Sequence, residues 1–284
     1  MKTNRELRNN DILFHHSIST RRSEEFELHC HNYYEVYFFI SGDARYLVEG
    51  VEYRPEPYSL LLMAPNVFHG IFLNSSSPYE RYALHLLPSF LPQGSEKLLL
   101  SPFHQKQIYY TKTESFHMES YFEALLQCCD MEGELQNIAV QARVEALLSQ
   151  IVHLQRESIH LPEQKRRGSY TPNQMISYIN EHIREPLSLD DLSLVFYIGK
   201  NQLNRTFRVA SGTTINRYIN QKRATMARQY ILDGLPPSEA CRLSGFQDYS
   251  NFFRAYKKIH GYSPADTKNT SLWTTQNVLE ENAL

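Results

Sequence analysis

Apolar positions recur at three- and four-residue steps through residues 187–265, in two blocks that repeat one another 49 residues apart. Leu203, Arg205, Phe207, Arg208 and Gly212 in the first block answer to Phe252, Arg254, Tyr256, Lys257 and Gly261 in the second. In the first, Ser188 and Asp191 form a helix start in which each side chain serves the other's backbone N–H. Leu189, Leu192, Val195 and Phe196 then make one buried face. Tyr197-Ile198-Gly199 is the turn, with Gly199 expected to take the backbone conformation that a Cβ would penalise. A second helix over residues 200–209 buries Leu203 and Phe207. The second block opens at Pro237-Ser238-Glu239, buries Ala240, Cys241 and Leu243, and turns at Gly245-Phe246. Asp248 caps a last helix whose Phe252 and Tyr256 point inward. Between the blocks, Ile215, Tyr218, Ile219, Ala224, Ala227 and Ile231 fit one long helix that ends at Asp233-Gly234.

The first half of the chain has the other period. Residues 10–22 lead in as strand and loop, and residues 25–40 are rich in aromatic and β-branched side chains up to the turn Ser41-Gly42-Asp43. Further strands are expected over residues 44–51, 59–64, 69–73 and 79–87. Short strands at regular spacing predict a small β-barrel or jelly roll. Residues 119–155 return to helical spacing, with a stripe of Ile138, Val140, Val144, Leu147, Leu148, Ile151 and Leu154. The pattern breaks over residues 156–171, where Pro162, Gly168 and the triplet Lys165-Arg166-Arg167 mark a linker. The expected division is therefore 1–155, a linker at 156–171, a helical domain at 172–268, and a tail at 269–284.

Composition sharpens this picture at two points. The net charge of −2 conceals an asymmetry: residues 171–270 carry 13 Lys+Arg against 8 Asp+Glu, and residues 1–155 carry 12 against 19. The basic helical half suits phosphate neutralisation, and the acidic half does not. Cys30, Cys128, Cys129 and Cys241 show neither a CxxC pair nor a disulfide framework, which points to a reduced, cytoplasmic setting. The polar first ten residues predict no secretory leader, and no apolar run approaches the ~20 residues of a membrane span.

Each repeated block has the outline of a helix-turn-helix unit, whose second helix enters the DNA major groove. Amides suit the adenine edge and guanidinium suits guanine. The expected base readers are Asn201, Asn204 and Arg205 in the first block, and Tyr249, Ser250, Asn251 and Arg254 in the second. Lys200, Arg208, Lys257 and Lys258 are expected on the DNA backbone.

The runs Leu203-Asn204-Arg205-Thr206-Phe207-Arg208, Arg223-Ala224-Thr225-Met226-Ala227 and residues 245–252 and 256–264 closely resemble the DNA-binding domain of the AraC/XylS family of transcription regulators. In the first half, His29-Cys30-His31-Asn32-Tyr33-Tyr34-Glu35 and Pro65-Asn66-Val67-Phe68-His69 resemble the two motifs of the cupin fold. The resemblance implies an α+β multidomain protein: a cupin-like barrel with trailing helices, then an all-α domain with two helix-turn-helix units. It implies a regulator rather than an enzyme, without a cofactor. Its partners would be double-stranded promoter DNA and a small-molecule effector, a sugar being the first candidate, with RNA polymerase a further candidate. A homodimer through residues 138–154 is expected on the same ground. The effector pocket would be lined by His29, His31, Glu35 and His69, with His29, His31 and Glu35 on one face of a strand. Those four are also the ligand types of metal-binding cupins. The expectation is that they contact a polar effector and hold no metal; a metal-dependent cupin enzyme carrying a DNA-binding tail is the alternative. Nothing in these residues separates an activator from a repressor.

Overall fold

The computed structural model describes residues 5–19, 28–158 and 172–270. The first half holds the strands β1 (Arg5–Arg8), β2 (Ile12–Ser19), β3 (Tyr34–Ser41), β4 (Ala44–Val48), β5 (Val51–Tyr53), β6 (Ser59–Met63), β7 (His69–Leu73) and β8 (Tyr79–Leu86). A short helix α1 (Glu96–Leu99), the strand β9 (Tyr109–Tyr110), and the helices α2 (Met118–Gln127) and α3 (Gly133–Glu157) complete it. Among the described residues, the strands form a six-stranded sheet ordered β1-β2-β8-β3-β6-β9 and a three-stranded sheet ordered β5-β4-β7. Every pairing is antiparallel.

The alternation of side chains along a strand explains why the central strands read as continuous apolar runs. Val36 and Phe38 on β3, Leu60 and Leu62 on β6, and Tyr82, Leu84 and Leu86 on β8 face a core shared with α2 and α3. The intervening Tyr37, Phe39, Leu61, Met63, Tyr79 and Ala83 face the second sheet, where Ala44, Tyr46, Val48, Ile71 and Leu73 meet them. The stripe on α3 is used within this domain: Val140, Val144, Leu147, Leu148, Ile151 and Leu154 are buried in the first core. Of the large apolar side chains exposed among the described residues, Leu135 and Ile138 lie on α3, at 65% and 61% exposure. Six of the seven stripe positions are thus covered within this domain, and Ile138 stays exposed.

The second half contains α4 (Pro172–Glu181), α5 (Leu189–Phe196), α6 (Lys200–Ser211), α7 (Ile215–Leu232), α8 (Pro237–Leu243) and α9 (Tyr249–His260). The long α7 separates two small cores, one built on Leu192, Phe196, Leu203, Phe207 and Tyr218, the other on Ala240, Phe246, Phe252 and Tyr256. Leu28, Cys30 and Phe68 of the first half complete the former core, so the two halves are in direct contact. The basic triplet Lys165-Arg166-Arg167 lies outside the described residues. Among the described residues no helix is long and apolar enough to cross a membrane.

Candidate DNA-reading helices and effector pocket

Local sequence sets both helix-turn-helix units. At α5 the expected reciprocal cap is present: Asp191 N–H donates to Ser188 Oγ at 3.1 Å, and Ser188 N–H donates to Asp191 Oδ2 at 3.3 Å. The turn differs from expectation. Tyr197 takes the left-handed conformation at φ 53°, while Gly199 is extended at φ −60° as the residue before α6. The helix closes through Ile198 N–H to the Ser193 carbonyl, which requires the bend one residue after α5 ends rather than at the glycine. In the second unit the expectation holds at both places. Gly245 has φ +94°, with Ile183 O and Arg184 Cα only 2.7 and 2.8 Å from where a Cβ would stand. Asp248 caps α9 by accepting from Asn251 N–H at 2.8 Å.

With Leu203 and Phe207 buried on α6, the opposite face is exposed, and Asn201, Asn204, Arg205, Arg208 and Val209 line a shallow hollow there. Asn204 also serves the fold: its Oδ1 accepts from Ile215 N–H at 3.3 Å and helps to start α7. Lys200 is turned to Asp190 at 2.5 Å. On α9, Ser250, Asn251, Arg254, Lys257 and Lys258 are exposed and Tyr249 is 46% exposed. Arg254 donates to Asn251 Oδ1 at 2.5 Å, which holds the guanidinium along the exposed face of α9. α6 leads into α7, an 18-residue helix about 27 Å long, and α8 and α9 pack against it further along the chain.

In the barrel, the four expected pocket residues do converge, although not on one strand. β3 begins only at Tyr34, and His29 and His31 belong to a preceding segment that pairs with β7. His29 N–H donates to His69 O at 2.9 Å and His69 N–H returns to His29 O at 2.8 Å. The rings of His29 and His31 lie 4.6 and 4.8 Å from that of His69, centroid to centroid. Glu35 is fully buried between His31, His69 and His85. It accepts from His31 Nε2 at 2.9 Å and from His85 Nε2 at 2.6 Å, and His69 Nε2 lies at ion-pair distance, 2.9 Å. Burial alone would raise the Glu35 carboxyl, but His85, His69 and His31 together hold it well below the usual range. Burial pushes His31 down to about 4 against the opposing pull of Glu35. For His69, burial pulls the imidazole down, but the same carboxylate outweighs it and the imidazole is raised.

Sequence reasoning misses His85. It sits at Glu35's position in the β3–β8 register, on the same inward parity of β8 as Tyr79, Arg81 and Ala83. That parity is the signal that could have found it. His15, beside His85 at a ring separation of 5.9 Å, and Tyr33, stacked on His31 at 3.7 Å, extend the polar cluster. Ligand nitrogens of His29, His31 and His69 fall within 4.8 Å of one another, a donor set of the kind that holds a divalent ion. Two of the same imidazoles, His31 and His69, have a carboxylate partner in Glu35, so the cluster also works as a hydrogen-bonding surface.

Two sequence families match the chain: the AraC-like ligand binding domain over residues 17–165, and a helix-turn-helix domain over residues 192–270. The probable transcriptional regulator LumQ of Photobacterium leiognathi is 29% identical over 126 residues, which cover 42% of this chain and 51% of LumQ. The uncharacterized HTH-type transcriptional regulator YbfI of Bacillus subtilis (strain 168) is 23% identical across 80% of this chain and 82% of its own. The HTH-type transcriptional activator RhaS of Klebsiella pneumoniae (strain 342) is 26% identical, with 49% of each chain covered. The chain thus spans about half the length of LumQ and RhaS, and most of YbfI. Among solved structures, ToxT of Vibrio cholerae strain SCE256 is 14% identical over 93% of this chain and 98% of its own, with a TM-score of 0.41.

Proposed function

Because this chain belongs to the AraC family of transcription regulators, we propose that it binds promoter DNA with α6 and α9 and adjusts that binding to a small polar effector held in the barrel. The observation that carries this is the pair of helices, each with a buried aromatic face and an exposed amide and guanidinium face, fixed at the two ends of α7. Asn201, Asn204, Arg205, Tyr249, Ser250, Asn251 and Arg254 read base edges; Lys200, Arg208, Lys257 and Lys258 hold phosphates. The effector contacts His29, His31, Glu35 and His69, with His85 added to that set. A cluster so dense in ring N–H donors and carboxylate oxygen suits a polyhydroxylated molecule, and a sugar or sugar derivative controlling carbohydrate-use genes is the first class to test. RhaS is a transcriptional activator, and activation is the sense of control proposed for this chain. A cytoplasmic homodimer that contacts RNA polymerase completes the reading, with the exposed Leu135 and Ile138 of α3 available to a second copy. Effector binding then shifts the population between two arrangements of the DNA-binding halves, by its differential affinity for them.

The test is DNA binding by the full-length protein to DNA flanking its own gene, titrated across salt with and without a sugar panel. Specific binding that weakens steeply with salt and moves with one sugar supports both parts. Specific binding indifferent to every sugar, accompanied by no thermal shift, removes the sugar. Failure to enrich any sequence from a random pool removes the regulator.

A further inference from the structure

One short wall of the barrel has two working faces. Residues 28–32 run beside the start of β7, tied to it by the paired His29 and His69 backbones. Because side chains alternate along an extended segment, His29 and His31 point into the cluster with His69 and Glu35 while their neighbours point to the second half of the chain. Leu28 lies over Gly212, close enough that a Cβ there would stand 2.0 Å from its Cδ1. Cys30 Sγ is 3.4 Å from Thr225 Oγ1. Asn32 donates to Gln229 Oε1 at 2.9 Å and accepts from Arg228 Nη1 at 2.7 Å. At the start of β7 the same division recurs one residue apart: His69 packs on the His29 ring, and Phe68, just before the strand, meets the Tyr218 ring at 4.7 Å.

Most of the receiving surface is one stripe of α7, with Gly212 after α6 and Asn180 on α4 beside it. Tyr218, Lys222, Thr225 and Gln229 follow one another at steps of four, three and four, which places them on one face. At its end sits Glu49, in the turn between β4 and β5. Its carboxylate accepts from Phe68 N–H at 2.8 Å, Asn180 Nδ2 at 2.9 Å, Lys222 Nζ at 2.5 Å and the Tyr218 hydroxyl. The α6 and α9 reading faces lie outside this contact and stay exposed, so docking fixes the pose of the two reading helices without covering them.

We propose that residues 28–32 together with Phe68 and His69 form the element that couples the effector pocket to α7. An occupant held by His29, His31 and His69 moves a backbone whose other face grips α7 through Cys30, Asn32, Phe68 and the Glu49 seat. Packed contacts of this kind change between discrete arrangements rather than deforming smoothly, which is what turns a small displacement into a repositioned domain. The coupling rests on the barrel being the effector site, and it is the path by which that site acts.

Hydrogen–deuterium exchange on the full-length chain, with neither DNA nor effector present, tests it from both sides. Lys222→Gln, on α7, is expected to speed exchange at least fivefold in residues 28–33 and 68–71, with β2 and β8 unchanged. His69→Gln, in the pocket, is expected to speed exchange at least fivefold in residues 218–229, with α9 unchanged. If each substitution alters exchange only in its own half of the chain, the coupling is overturned. Should Lys222→Gln lose protection throughout, Gln229→Ala replaces it, since it removes the part-buried hydrogen bond to Asn32 and otherwise only an exposed bond to Asp233 within its own helix end; an unaltered 28–33 segment in that variant overturns the proposal equally. Failure of the regulator reading appears in the DNA titration, and failure of the coupling appears in exchange, so the two are told apart.

Discussion

The Glu49 carboxylate and the Lys222 ammonium meet at 2.5 Å across 173 positions of sequence, the one in a tight turn of the barrel and the other in the middle of α7. Burial by itself would raise the Glu49 carboxyl; Lys222, Phe68 N–H and the Tyr218 hydroxyl overcome that and lower it. The carboxylate is therefore held ionised in a site where removing Lys222 leaves it without its cation.

Replacing Lys222 by Met is expected to cost about 3–5 kcal/mol, the usual penalty for an uncompensated buried charge. The double variant Glu49→Gln, Lys222→Met should recover much of that loss. Urea denaturation followed by two probes, one in each half, checks both statements, and the single variant should separate the two transitions.

Arg205→Ala and Arg254→Ala are each expected to weaken specific DNA binding by about 1–3 kcal/mol and to relax the preference at one base pair. Lys257→Ala should weaken all sequences alike and make the salt dependence shallower by about one unit. Asn204→Ala is the informative exception. Because its Oδ1 also holds Ile215 N–H, it should lower folding stability by about 0.5–1.5 kcal/mol as well as DNA affinity. Binding isotherms at several salt concentrations, on the specific site and its single-base variants, separate the three classes.

Gly245→Ala is expected to destabilise the DNA-binding half by about 1–3 kcal/mol. The residue combines φ +94° with backbone atoms of Ile183 and Arg184 under 3 Å from the new methyl, and backbone cannot rotate aside as a side chain can. Gly199→Ala, in open space at φ −60°, should be near neutral. Thermal denaturation of the two variants side by side gives the comparison.

Acid should begin to destabilise the protein before its carboxylates titrate. Burial pushes His260 down to about 3, helped by Arg228, and burial lowers His15 well below its ordinary value, helped by Arg81. The unfolded chain takes up those protons near pH 6.5 and the folded chain does not, so stability falls as pH drops below about 6.5, by up to about 1.4 kcal/mol per pH unit for each histidine. His69 has the opposite sign: its contribution is complete below about 6.5 and is lost as pH rises through its elevated value. Urea midpoints at pH 7 and pH 5 should differ for the parent chain, and His260→Gln should flatten the slope in the DNA-binding half.

Local signals are legible where one helix or one turn decides the outcome. The Ser188–Asp191 cap, the Asp248 cap, the Gly245 turn and the inward Leu203, Phe207, Phe252 and Tyr256 all lie where their own neighbours dictate. Gly199 misleads because the presence of a glycine does not say which residue of a three-residue turn must bend left-handed; the Ser193–Ile198 hydrogen bond places that bend at Tyr197. The α3 stripe announces a buried face without saying what buries it.

By itself the sequence determined the two helix-turn-helix units, their repeat about a central rod, the strand-rich half before them, and four polar residues that cluster inside it. Periodicity and capping depend on contacts within a few residues, and those are written in order along the chain. Only the tertiary structure decided that His85 joins Glu35, that His29 and His31 arrive from outside β3, and that alternate neighbours in residues 28–32 face two different domains. Such relationships depend on strand register and on the docking of α7, and Glu49, 173 positions from Lys222, bears no local mark of the charge that it meets.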